Sequence, residues 1–257
     1  MRNYIFRFAP AVILMLAFAS GCATTIRGLK HDPSFTFDSV KTSGLYVGGV
    51  VSATAELAPG EITTFSSILR SGFLDERKDI YVHDPAAFTS AVGIDRRAAM
   101  LSEYKNAGVV STRWLDEIRS KIPAARYVVF ARIEDDNVTK ERRKEDVYSD
   151  KEKDKDKRKL IGQKIKTEAT RRMSVSLAIY DITAGVFVWG GSVEKSRNDS
   201  RQYETRLDDN TAILLDTINR VLNEEDKIYP YPPYPAQRDV LLSVFMGFAE
   251  NLPKQKK

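Results

Sequence analysis

The stretch MSVSLAIYDITAGVFVWGGSV, residues 173–193, carries the clearest structural signal in the chain. Met173, Val175, Leu177 and Ile179 alternate with Ser174, Ser176 and Ala178. Side chains of a strand point to opposite faces in turn, so a period of two is a strand with one buried side. Asp181-Ile182-Thr183-Ala184-Gly185 supplies turn chemistry, and Val186 to Val193 returns as the antiparallel partner.

Upstream, Arg126 to Val138 reads as a further strand. Its run Tyr127-Val128-Val129-Phe130-Ala131 is too apolar to be half exposed, which places it mid-sheet with helices over a face. Gly44 to Val51 reads as the first strand, buried on both faces, with glycines that mark a bulge or a close backbone approach. Asp79 to Asp84 is a short second strand stopped by Pro85. Between and after these lie helices: Glu61 to Glu76, with Phe65, Leu69 and Phe73 on one stripe, then Ile94 to Ala107 and Thr112 to Ile122. Downstream, Asp209-Asn210 caps an expected helix from Thr211 to Leu222. The Tyr/Pro run 229–235 must be extended, because each proline fixes its own φ and biases the residue before it. A last helix covers Arg238 to Asn251. This order predicts an α/β fold: a mixed sheet of about five strands with helices packed on it, a long charged hairpin insertion and a C-terminal helix.

The amino terminus has a different character. Arg2 and Arg7 precede an apolar run from Phe8 to Ala19, which suits a signal-peptide core and is too short for a membrane span of roughly 20 residues. Ala19-Ser20-Gly21-Cys22 closes it. This stretch resembles the lipobox of bacterial lipoproteins, although alanine stands at position 19 where that motif usually has leucine. The resemblance implies cleavage between Gly21 and Cys22 and a diacylglycerol thioether on Cys22, the only cysteine in the chain. Ala23 follows instead of the aspartate that holds many Gram-negative lipoproteins at the inner membrane. In a Gram-negative source the motif therefore implies the periplasmic face of the outer membrane. Residues 1–21 are the expected signal peptide, 22–43 a polar, lipidated flexible tether, 44–225 the α/β domain with a charged insertion at 140–166, and 226–257 the Tyr/Pro strap and final helix.

Several of these pieces together resemble one envelope superfamily. They are the Leu45–Val51 strand, Ile80–His83, Ala124-Ala125-Arg126-Tyr127-Val128-Val129, and a hairpin in which Asp181, Gly185 and Trp189 are spaced D-x-x-x-G-x-x-x-W. The superfamily includes the amino-terminal domain of the Tol system's periplasmic protein, the lipoprotein activators of penicillin-binding proteins, and the curli-secretion lipoprotein. The resemblance implies a non-enzymatic role in which an anchored α/β domain binds another envelope component, itself included. One member forms a pore from extended hairpins. Lipid-facing strands need apolar side chains at alternate positions, and neither Lys140 to Lys159 nor Ser196 to Asp209 has them, so a pore is not expected.

Charge and composition narrow the chemistry. The formal net charge of +5 falls to +3 without Arg2 and Arg7, a mild excess that does not call for nucleic acid. A lone cysteine forms no disulfide framework. His31 and His83, the two histidines, lie far apart with no metal-ligand spacing around them, and no Gly-x-Ser-x-Gly, His-Glu-x-x-His or phosphate-cradling loop is present. Asp135 and Asp136 are adjacent on a strand, so they point to opposite faces and read as a solvated strand end. No catalytic residue, cofactor or metal is expected. The charged run is expected as a solvated hairpin extension or a loose charged helix, or as a docking arm for a partner. The reading is an assembly or accessory factor of the envelope. Its alternatives are a regulator acting on an inner-membrane cell-wall synthase, then an unrecognised hydrolase. A 20-residue tether extends to at most roughly 70 Å, which limits the reach such a regulator would need.

Overall fold

The computed structural model describes residues 24–148, 160–206 and 225–255. Strands β1 (Arg27–His31), β2 (Leu45–Ser52), β3 (Tyr127–Tyr148), β4 (Leu160–Asp181) and β5 (Val186–Arg206) form one sheet in the order β1-β5-β4-β3-β2. Only the β2–β3 pair is parallel. The helices are α1 (Phe37–Ser43), α2 (Pro59–Glu76), α3 (Pro85–Val92), α4 (Ile94–Ala107), α5 (Thr112–Lys121), α6 (Glu225–Ile228) and α7 (Gln237–Glu250).

The sheet separates two apolar cores. On one face Val47, Val129, Leu177 and Ile179 meet Phe65, Leu69 and Phe73 of α2 and Leu241, Val244 and Phe248 of α7. On the other, Val128, Phe130, Ala178 and Tyr180 meet Phe88, Met100, Leu101, Trp114 and Ile118 from α3, α4 and α5. Strand β2 is buried throughout apart from the half-covered Tyr46, as its glycine-rich apolar run implies. Its register shifts between Val47 and Gly49, and a Cβ on Gly48 would stand 2.2 Å from the Phe130 ring. Bulge and close approach coincide there. The 181–185 turn closes as expected: Gly185, at φ 70°, donates its N–H to the Asp181 carbonyl at 2.8 Å. The Asp181 carboxylate accepts from the Ala184 N–H and from Arg126 Nε, both at 3.0 Å.

Two expectations need correction. First, Asp79 to Asp84 is not a sheet strand. It makes a single bridge from Val82 to Leu45, with hydrogen bonds of 2.9 and 2.8 Å, before Asp84 caps α3 and Pro85 opens it. The fifth strand is Arg27–His31, on the opposite edge.

Second, most of the expected tether is folded. Thr36 and Ser39 form a reciprocal cap on α1, and Phe35 and Val40 are fully buried, Phe35 against Tyr127 and Trp189. Two apolar residues without a period, Phe35 and Val40, were enough, because both land in the core on the α7 side of the sheet. The charged insertion takes the hairpin form of the two expected: β3 runs on to Tyr148 and pairs antiparallel with β4, which begins at Leu160. The helix expected at Thr211 to Leu222 lies outside the described residues, as do Gly21 and Cys22.

Candidate functional site

Strands β3 and β4 are 22 residues long and β5 is 21, well beyond the usual 3–10. Strand β2 accompanies β3 only to Ile133, and β1 accompanies β5 only between Trp189 and Ser192. Beyond these points the three strands continue alone as an arm. From Asp135 to Tyr148 it measures about 45 Å at the rise of an antiparallel strand.

Pairing register assigns the arm's faces. Lys140, Arg142, Lys144, Arg171, Lys195, Arg197 and Arg201 share one face with Asp136, Asp146 and Asp199. The reverse face mixes the signs in local pairs: Arg143 with Glu141, Lys166 with Glu168, and Arg172 with Glu194. The basic face continues the side of the sheet that α7 covers, and the Tyr/Pro segment lies along it.

The contacts explain why a proline-rich segment suits this place. Prolines offer carbonyls but no N–H, and an extended segment leaves those carbonyls to be satisfied from outside. The arm is rich in donors. Thr167 and Tyr203 hydroxyls donate to the Pro230 carbonyl at 3.3 and 2.7 Å, Arg142 donates to the Tyr229 carbonyl at 3.3 Å, and Arg171 donates to the Pro235 carbonyl at 3.0 Å. Lys140 lies 5.3 Å from both the Tyr231 and Tyr234 ring centres, and Arg142 lies 5.0 Å from that of Tyr231. Arg142 also pairs with Asp226 at 2.7 Å. Under this cover Ile165, Thr167 and Ala169 are fully buried, and Pro232 and Pro235 turn inward.

The residues singled out from sequence do not assemble a reactive site. His31 is on the β1 edge, its Nε2 2.8 Å from the Phe35 carbonyl. His83 is at the other edge of the sheet, stacked on Tyr46 with ring centres 3.7 Å apart, and burial lowers its pKa. No group of three metal-ligating side chains occurs among the described residues. Asp135 and Asp136 do face opposite ways, but Asp136 is no solvated strand end. It is half buried, 3.1 Å from Arg171 and 3.0 Å from the amide of Gln237. Burial raises its carboxyl pKa, with Arg171 opposing.

A groove of about 530 Å³ between Lys30, Ser111, Tyr180 and Phe187 holds hydroxyls; Tyr180 accepts the Val110 N–H at 3.0 Å, and burial raises its pKa. Lys140, Arg142 and Lys144 carry the sequence signal of the arm's basic face: basic residues at every second position.

Fold and site together define a three-layer α/β protein whose mixed sheet projects a strapped, three-stranded polar arm. No protein-family model matches the chain, and no curated protein does. Among solved structures it is similar to the PelC dodecamer from Paraburkholderia phytofirmans, at 12% identity and a TM-score of 0.34 over 90% of this chain and 99% of that one. It is also similar to lipoprotein GNA1162 from Neisseria meningitidis, at 14% identity and a TM-score of 0.31 over 72% and 99%. A third, the hypothetical protein CT253 from Chlamydia trachomatis, shows 14% identity and a TM-score of 0.31 over 79% and 91%. Likenesses this distant do not say what the chain binds.

Proposed function

We propose that this is a non-catalytic, lipid-anchored envelope protein that acts as an assembly or accessory factor. Cys22 carries the acyl chains, the α/β body sits at the periplasmic face of an outer membrane, and the arm binds another envelope component, a second copy of this chain included. The arm carries this reading. About 45 Å of ordered sheet beyond the body adds little apolar burial for its length, and its edges and reverse face are polar and open to a partner. A regulator of an inner-membrane synthase is less well served, because the length expected for its tether is folded into the body.

Photo-crosslinking in intact cells tests it. A crosslinker replacing Arg143, exposed on the arm's reverse face, should give a discrete adduct. One replacing Ser90, exposed on α3, should not. An adduct between two copies would identify the partner as this chain. Equal, diffuse labelling from both positions would refute the arm as the binding element.

A further inference from the structure

The first described residue is already fixed to the body. Asn251 Nδ2 donates to the Thr24 carbonyl at 2.9 Å and to the Gly247 carbonyl at 2.8 Å, and Lys195 Nζ donates to Thr24 Oγ1 at 2.7 Å. Gly247 admits this approach, since a Cβ there would stand 2.7 Å from Thr24 Cγ2. Ile26 then packs on Gly191 in the same manner. The described chain belongs to the fold from Thr24.

Cys22 is two residues upstream, and two residues span at most about 7 Å. An acylated Cys22, on which this inference rests, therefore brings the surface around Thr24 to the bilayer within a length comparable to the ~8 Å screening distance at physiological salt. That surface is basic. Beyond Lys195, strand alternation puts Arg197 and Arg201 on the same face, about 7 and 20 Å further along. Both are exposed, on the margin of β5 that β1 leaves unpaired. The nearby acids are Asp199 on that face, Asp239, 3.3 Å from Arg197, Glu250 at the end of α7, and Glu194 on the reverse face, which pairs with Arg27 and Arg172; Arg27 and Lys254 add to the basic side. A fixed lipid anchor beside a basic margin selects one occupant, a surface of lipid phosphates.

We propose that the outer margin of β5 from Lys195 to Arg201, with the C-terminal end of α7, is a membrane-docking face that rests on anionic lipid headgroups in the leaflet holding the Cys22 acyl chains. The body then has one orientation on the membrane and does not swing on a leash.

The test uses the full, lipidated chain with a single added cysteine carrying a fluorophore; an acylated Cys22 is a thioether and takes no label. Ser196→Cys reports the docking margin. Ser90→Cys, on α3 beside β2 at the opposite edge of the sheet, reports the far side. In phosphatidylethanolamine–phosphatidylglycerol vesicles with a headgroup quencher, the Ser196 label should lose most of its emission and the Ser90 label little. Arg197→Glu with Arg201→Glu, or phosphatidylcholine in place of phosphatidylglycerol, should restore the Ser196 emission. Equal quenching at both positions, or quenching indifferent to both changes, would overturn the docking face. So would shielding of Ser196 that appears only when envelope proteins are added, which would assign the face to a protein. Intact mass separates the two failures: residue 22 without acyl chains sinks the anchored reading itself, whereas acylated protein with equal quenching sinks only the docking face.

Discussion

Arg77 is almost fully buried, and its guanidinium joins three parts of the chain. Nε and Nη2 donate to the two oxygens of Asp79 at 2.8 and 2.9 Å, and Nη1 and Nη2 donate to the Leu252 and Pro253 carbonyls at 3.2 and 2.9 Å. It thereby satisfies carbonyls just past α7 that have no partner in the helix. Arg77→Leu strands those carbonyls and Asp79 together and should cost about 3 kcal/mol, read as a lower urea midpoint. The hydrogen bond from Arg77 also holds the Asp79 carboxyl below the ordinary carboxylate range. Its contribution is present above the unfolded value of about 3.9 and is lost as pH falls through the folded value. The acid limb of a stability–pH curve should therefore be shallower in Arg77→Leu. Tyr127 is the reverse case: its buried hydroxyl finds no hydrogen-bond partner among the described residues. Tyr127→Phe should stabilise by about 1 kcal/mol in the same titration.

At the scale of elements, the arm and its strap depend on each other. Lys, Glu and Asp are poor strand formers, so residues 140–148 have little strand preference of their own. What makes them strand is the ladder to 160–169 and the cover that the strap lays over Ile165, Thr167 and Ala169. Tyr231→Ser with Tyr234→Ser removes the rings over Lys140 and Arg142, contacts worth about 0.5–1 kcal/mol each when exposed. Hydrogen exchange should then quicken at amides 163–171 and stay slow at 175–180, which lie inside the sandwich. Uniform quickening would show that the rings support the whole fold. The strap's extended form was legible from its prolines, but its site was not, because nothing local says which surface needs carbonyl acceptors.

At the scale of the whole molecule, the proposed anchor at Cys22 stands two residues before Thr24, where the described fold begins. Two or more acyl chains hold a protein to a bilayer stably, and without them this chain has no described helix long and apolar enough to cross one. Cys22→Ala should move the protein from the membrane pellet to the soluble fraction with its thermal unfolding unchanged, since residue 22 precedes every described contact. Persistence in the pellet would point to an attachment other than the lipid. Four of the five expected strands and the helices at 61–76, 94–107 and 238–251 were readable because their apolar periodicities are strong. The candidate site was readable only as a charged run and a proline run with no stated relation.

The sequence by itself determined the hairpin at 173–193, the doubly buried strands at 45–51 and 127–133, the helices at 61–76, 94–107, 112–122 and 238–251, and a single thiol in a lipobox-like stretch. Each is local: period, turn chemistry or motif acts over a few neighbouring residues. Only the tertiary structure decided that Arg27–His31 completes the sheet, that Phe35 and Val40 belong to the core, and that the charged run is a strapped arm. These depend on surfaces contributed by residues distant in the chain, Trp189 for Arg27–His31 and Phe35, and the 229–235 strap for the arm, and burial and hydrogen bonding act on what is near in space.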